Sequence, residues 1–159
     1  MADQASPGTK ILSLWNRLRP LPGGSWLFSR LLGLQVPYTG SMGAHVRELN
    51  SGYARVTLSD RRSVRNHLSS IHAVALTNLG EITTGLAMMT ALPPGVRSIV
   101  INLSTSYLKK ARGTLTAECH ATVGEVTEDR DQIVEAELRD LSGDVVSRTQ
   151  VVWRLGLPR

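Results

Sequence analysis

Two periodicities divide the chain. Early on, Ile11, Leu12, Trp15 and Leu18 recur at helical spacing, Pro20 and Pro22 stop the pattern, and Trp26, Leu27 and Phe28 with Leu31 and Leu32 start a second short helix. From Met42 the period becomes two. Met42, Ala44 and Val46 alternate, Asn50-Ser51-Gly52 supplies turn chemistry, and Ala54, Val56 and Leu58 alternate with Tyr53, Arg55 and Thr57, which predicts a hairpin. An irregular stretch from Ser59 to about Ile71 leads into a segment, 72–92, that is apolar on nearly every side through Val74, Leu76, Leu79, Ile82, Leu86, Met88, Met89 and Leu92. Such a helix either crosses a bilayer or forms the buried centre of a soluble fold. Asn78, Glu81, Thr83, Thr84 and Thr90 interrupt the window, and a carboxylate at mid-membrane costs about 2.5–3.5 kcal/mol, so the pattern favours a buried helix without a membrane span.

Pro93-Pro94-Gly95 ends that helix, and period two returns. Ile99, Ile101, Leu103 and Tyr107 are expected on one strand face, with Ser98, Asn102, Ser104 and Ser106 on the other. Leu115, Ala117, Cys119, Ala121 and Val123 repeat the pattern after Gly113, then Val134, Ala136 and Leu138, and Ser142-Gly143-Asp144 turns the chain into a last strand through Val151, Trp153 and Leu155. No connection after the helix is long enough for a parallel crossover. The expected class is therefore α+β: an antiparallel sheet wrapped around one long central helix, formed by residues 41–159, with residues 1–40 as a helical extension packed on it. The polar, small stretch Met1–Pro7 reads as a frayed terminus.

Composition narrows the chemistry. The 159 residues fit one domain, and 42% hydrophobic with 19% charged residues are globular values. A single cysteine, Cys119, excludes an intramolecular disulfide and a cysteine zinc cluster, and its place on an apolar strand face reads as an inert buried thiol. His45, His67, His72 and His120 form no metal-binding motif, so no metal site is expected. The net charge of +5 comes from dispersed basic residues, and aromatics make up only 4%. That argues against a nucleic-acid surface and leaves anionic small molecules, such as a phosphate-bearing coenzyme, as partners. No secretory signal pattern is present, which favours a cytoplasmic location with the mitochondrial matrix as the alternative.

Glu81 carries the most information. It is the only residue charged at neutral pH between Arg65 and Arg97 if the histidines are neutral, and it lies inside the most apolar helix. A lone buried carboxylate acquires a raised pKa, a partner, or a place at a cavity wall. The structural alternatives are a hydrogen bond from Asn78 or Thr77 one turn back, or an ion pair at a dimer interface. The run from Asn66 and His67 to His72, Ala73 and Val74 enters the helix directly, and free N–H groups at a helix start form an anion site. An ester or thioester carbonyl becoming an oxyanion is stabilised there, with a carboxylate two turns on within reach of the same carbon or of a water beside it. As plain structure, His72 caps the helix and Asn66 is a turn residue.

The strand-strand-helix-four-strand order and this junction resemble the hotdog fold, and in particular thioesterases of the phenylacetate-degradation type. That family carries an Asn, a His-Gly-Gly six residues later, and an Asp nine residues after the His; Asn66, His72 and Glu81 stand at those spacings, with Glu for Asp. The segment Tyr107-Leu-Lys-Lys-Ala-Arg-Gly113 is similar to the family's link between its next two strands, and the match spans roughly residues 52–155. The N-terminal part, with Pro22-Gly-Gly-Ser-Trp26-Leu-Phe28 and Pro37-Tyr38, resembles a largely uncharacterised thioesterase-like subgroup. Two departures stand out. Ala73-Val74 replaces Gly-Gly, and the position where relatives place a Ser or Thr opposite the carboxylate is Val100, flanked by Ser98 and Asn102, which alternation puts on the same face.

The resemblance implies a homodimer, or a tetramer built from it, that hydrolyses acyl-CoA or acyl carrier protein thioesters at the subunit interface. Coenzyme A is then part of the substrate, and no separate cofactor is needed. Glu81 would be nucleophile or general base, Asn66 would position water or the carboxylate, and His72 would orient the helix-start loop. The Ala73 N–H would be the oxyanion donor, with His67, Ser98 and Asn102 as further substrate-binding candidates. The alternative is a non-catalytic acyl-ligand or acyl-CoA binding protein on the same fold.

Overall fold

The computed structural model describes residues 6–157. The expected frayed terminus lies outside these residues up to position 5, and Ser6 already caps a helix, its Oγ accepting from Thr9 N at 3.2 Å. Helices α1 (Pro7–Leu18), α2 (Gly24–Gln35) and α3 (Pro37–Met42) precede the sheet. α3 was not legible as a helix. Met42 ends it and Gly43 closes it at φ 67°, so β1 begins at His45 rather than at Met42.

Strands β1 (His45–Asn50) and β2 (Tyr53–Leu58), helix α4 (Ala73–Ala91), and strands β3 (Arg97–Tyr107), β4 (Leu115–His120), β5 (Arg130–Arg139) and β6 (Val145–Gly156) follow. They form one antiparallel six-stranded sheet in the order β1-β2-β4-β5-β6-β3, curled around α4, which is the α+β hotdog arrangement. β4 stops at His120, so Ala121 and Val123 do not extend it.

A cross-strand row of small residues explains where the helix sits. Ala54, Cys119, Ala136, Thr149 and Thr105 oppose one another across five neighbouring strands, leaving a trough that larger side chains would fill. α4 lies on this row with Gly80, Thr83 and Thr84 buried, and a Cβ on Gly80 would overlap the Thr149 side chain. Leu79, Leu86 and Met88 then reach the surrounding Val56, Leu58, Leu115, Leu138 and Leu155 in the same core. Burying each such side chain is worth about 1.5–3 kcal/mol, so the trough and its helix fix each other.

The two sheet edges differ. α2 covers β1: Ser29 Oγ accepts from Val46 N at 2.9 Å, and Phe28 packs edge-on against Trp15 of α1 with ring centroids 5.1 Å apart. β3 pairs only with β6 among the described residues. Its register slips between Val100 and Asn102, so Val100 opposes Trp153 while Asn102 opposes Val152. This bulge reverses the strand's phase. Ser98, Val100, Leu103, Thr105 and Tyr107 share the α4 face, while Ile99 and Asn102 lie on the outer one. Uninterrupted alternation through position 101 therefore does not hold.

Candidate functional site

The loop leading into α4 is held from three sides. Asn66 Oδ1 accepts from Leu68 N at 2.9 Å, Ser70 N at 3.2 Å and Ser70 Oγ at 3.1 Å, and Asn66 N donates to Ser70 O at 2.8 Å. Ser69 adopts φ 54° within this turn. The crossing segment between β3 and β4 anchors the loop from below, where Ile71 N donates to Ala111 O at 2.9 Å and Gly113 N to Asp60 Oδ2 at 2.8 Å. The side-chain carbonyl of Asn66 is thus spent on shaping the turn that starts the helix.

His72 is the N-cap, its Nδ1 accepting from Val74 N at 3.1 Å, while Leu76 N donates to His72 O. The Ala73 amide, one residue inside the helix, makes no hydrogen bond among the described residues. Sequence reasoning did not single out Tyr107 as a site residue. Its hydroxyl lies 2.8 Å from Thr77 Oγ1 and donates to the Ala73 carbonyl at 3.2 Å, tying the end of β3 to the first turn of α4. The Tyr107–Gly113 match pointed to the segment, not to this bond. A cleft of 240 Å³ opens beside these turns, with Tyr38, Arg65, His72, Val74 and Asn78 in its wall. His67 is exposed on the loop and contacts none of these groups through a hydrogen bond.

Glu81 lies two turns on, half-buried, and burial alone pushes its carboxyl above the usual carboxylate range. Neither expected structural partner serves it. Asn78 Oδ1 accepts from Thr39 Oγ1 at 3.4 Å, and Thr77 Oγ1 is engaged with Ala73 O and Tyr107. Beside it, Gly85 leaves a gap: a Cβ there would sit 4.0 Å from Glu81 Oε1 and 3.9 Å from Cη2 and Cζ2 of Trp153. Trp153 is 6% exposed, and its indole N–H has no hydrogen-bond partner among the described residues. A helix-interior glycine costs about 1 kcal/mol against alanine. At Gly80 close packing explains it; at Gly85, which is buried, a Cβ would meet only ordinary contacts, so the room left beside Glu81 is that of one attached methyl group.

One distance changes the expected geometry. Eight residues separate Ala73 from Glu81, a rise of about 12 Å along the axis. A carbonyl contacted on both sides at about 3 Å does not bridge that distance. The Ala73 amide and the Glu81 carboxylate of one protomer therefore do not meet on one carbon. Ser98 lies on the α4 face of β3 but beside Trp153 and Met89, towards the far end of the helix. Asn102, on the outer face, is separated from Ser98 and Val100 by the bulge.

Burial pushes the Cys119 thiol up to about 12, which keeps it protonated at neutral pH. Among the described residues no cluster of three or more His, Cys, Asp or Glu side chains could hold a metal ion, and no helix is long and apolar enough to cross a membrane.

Residues 24–155, which take in α2, α4 and the sheet short of the last residue of β6, match the model of a domain of unknown function, DUF4442. The chain belongs to the DUF4442 family. No curated protein sequence matches this DUF4442 chain. Among solved structures it is similar to the structural-genomics protein APC5556, with 26% identity, 94% of this chain and 99% of that one covered, and a TM-score of 0.81. It is also similar to a Pseudomonas aeruginosa protein of unknown function named a probable thioesterase (21% identity, 87% and 97% covered, TM-score 0.75). The phenylacetic acid degradation protein PaaI of Thermus thermophilus, in a mutant form, shares the fold at 18% identity over 74% of this DUF4442 chain and 97% of that one, with a TM-score of 0.63. The hotdog fold is thus common to this chain and to a protein named a probable thioesterase.

Proposed function

We propose that this protein hydrolyses acyl thioesters of coenzyme A or acyl carrier protein, as a homodimer of the phenylacetate-degradation type. The observation that carries the reading is Glu81, a half-buried carboxyl with no hydrogen-bond or ion-pair partner among the described residues, its proton affinity raised by burial, beside a glycine whose Cβ would meet no clash. Fold neighbours named as thioesterases support it.

In this mechanism ionised Glu81 takes a proton from water as the water oxygen attacks the thioester carbon. The resulting oxyanion accepts from the Ala73 N–H at the positive end of α4. The C–S bond then breaks, Glu81 returns its proton to the leaving thiolate, and the products are the acid and the free thiol. A carboxyl with a raised pKa suits both steps, since it is neither too weak a base nor too reluctant an acid near neutral pH. His72, by capping the helix, and Tyr107, by holding the Ala73 carbonyl, keep the donor in place.

Dimerisation resolves the 12 Å separation, since a two-fold axis beside α4 sets the helix start of one protomer against Glu81 of its partner. The bare edge supports it: β3 is eleven residues long, pairs on one side only among the described residues, and leaves Ile99 65% exposed. Such an edge is a liability unless another strand covers it. Light scattering is expected to return a dimer mass at micromolar protein, and a monomer would contradict the shared site.

A second reading, an acyl-ligand binding protein without turnover, is favoured by one observation: Ala73 and Val74 put side chains where the resemblance has Gly-Gly. A hydrolysis screen over short, long and aromatic acyl-CoAs separates the two. Turnover that disappears in Glu81→Gln supports the enzyme; tight binding with no turnover for any chain supports the binder.

A further inference from the structure

We infer that the outer face of α2, together with the start of α3, seats the protein on an anionic lipid bilayer. The inference stands apart from the thioester reading, because it uses none of the groups around Glu81.

A helix that is apolar on more than one face belongs in an interior, yet α2 lies at the surface. Phe28 and Leu32 point inward, Phe28 against Trp15 and Leu32 against the core. Leu27, Leu31 and Leu34, at spacings of four and three, form a second stripe that is turned to solvent, with Leu34 72% exposed. Trp26 on the same helix and Tyr38 in α3 are exposed as well. A run of large apolar side chains in the open marks a surface that something else covers. Charge indicates what that is. A cavity of 460 Å³ beside the stripe has Trp26, Arg30, Leu34, Val36 and Arg61 in its wall and no Asp or Glu. The Arg30 guanidinium lies 5.7 Å over the Trp26 ring, and Arg61 gives Nη2 to the Ser41 and Met42 carbonyls; neither meets a carboxylate among the described residues. From Ser6 to Arg47 the chain carries five basic residues, Lys10, Arg17, Arg19, Arg30 and Arg47, and no acidic one. A second copy of the chain fits poorly, because a two-fold contact would set these guanidiniums against their own kind. The face also lies away from β3, since α2 covers β1 at the other edge of the sheet. Lipid phosphates supply the missing negative charge, the acyl region takes the leucines, and Trp26 and Tyr38 suit the boundary between the two.

Sedimentation of the full chain with phosphatidylcholine vesicles, with and without about a third phosphatidylglycerol, tests this. Binding is expected only with the anionic lipid, and it should weaken as salt is raised from about 0.05 to 0.5 M. Trp15 and Trp153 are buried, so a blue shift of tryptophan emission on binding should come from Trp26 and be lost in Trp26→Phe. Arg30→Gln should weaken binding about fivefold, the value of one basic residue near such a surface. Leu34→Asp should abolish it, and since both side chains are exposed, both variants should keep the wild-type Tm. Should Leu34→Asp fail to fold, the Trp26 shift and Arg30→Gln decide alone. Equal binding to neutral and anionic vesicles, binding without a Trp26 shift, or binding that survives Leu34→Asp in the folded chain overturns the proposal. So does the absence of vesicle binding, including where the face instead binds an acidic acyl carrier protein or a second copy in an association that Leu34→Asp removes.

Discussion

The two ends of the α4 face that carries the site are built on opposite terms. At the helix start nearly every polar group is spoken for: Asn66 closes its own turn, His72 caps the helix, and Tyr107 and Thr77 both reach the Ala73 carbonyl. Two turns on, neither Glu81 nor the buried Trp153 N–H has a partner among the described residues, and Gly85 leaves out a side chain that would fit. A buried polar group left unsatisfied costs about 1–3 kcal/mol. One end is therefore organised to hold a shape, and the other keeps its polar groups available to something that is not part of the chain.

The largest effect expected from breaking this contrast is at Glu81. Glu81→Gln keeps the size and loses the base, so thioester turnover should fall by roughly 10²–10⁴ while acyl-CoA binding persists. The same variant should be more stable than wild type at neutral pH. The sign follows from the raised pKa: a carboxyl that holds its proton more tightly in the fold than in the unfolded chain favours the fold at acid pH, and that contribution is lost as pH rises through the folded value. Denaturant midpoints should thus separate with rising pH and converge below about pH 4. The acid limb of kcat/KM should likewise lie above the ordinary glutamate range; a limb inside that range would mean that Glu81 is not the base.

The glycines sharpen the comparison. Gly80→Ala forces a methyl into Thr149, a β-branched residue 3.0 Å from Thr105 through their hydroxyls, and should cost about 1–3 kcal/mol in urea unfolding. Gly85→Ala meets nothing closer than ordinary contact and should stabilise by about 0.5–1 kcal/mol. Equal losses at both positions would mean that Gly85 serves packing after all. The smallest effect is expected at Tyr107→Phe, which removes one hydroxyl from an exposed bond to Ala73. It should cost about 0.5–1.5 kcal/mol of stability and lower kcat more than it raises KM, because it loosens the donor rather than the binding surface.

Much of this fold could be read from alternation. The turn at Asn50-Ser-Gly52, the all-round apolar helix from Ala73 to Ala91 and the four strands after Pro93 each announce themselves through local period. The bulge in β3 did not, because Ile99, Ile101 and Leu103 alternate as a regular strand would, and only pairing with β6 reveals the change of phase that sends Asn102 outward. Glu81 was legible as the one charge in an apolar helix. Trp153 and Gly85 were not, since a strand tryptophan and a helical glycine look like core and accident until the sheet brings them to the same carboxylate. The separation of Ala73 from Glu81 followed from the helix rise alone, yet the proposal drawn from it, a site shared between protomers, depends on the edge of β3 that is unpaired among the described residues.

That shared site is the central claim, and subunit mixing tests it most directly. Ala73→Pro at the first helical position removes the donor N–H with little harm to the helix, because His72 already has the extended conformation, φ −64° and ψ 140°, that precedes a proline. Ala73→Pro and Glu81→Gln should each be inactive alone. Mixed, unfolded together and refolded in equal amounts, they should recover about a quarter of wild-type activity, since half the dimers are mixed and each holds one intact site. A mixture no more active than either variant alone would contradict the account.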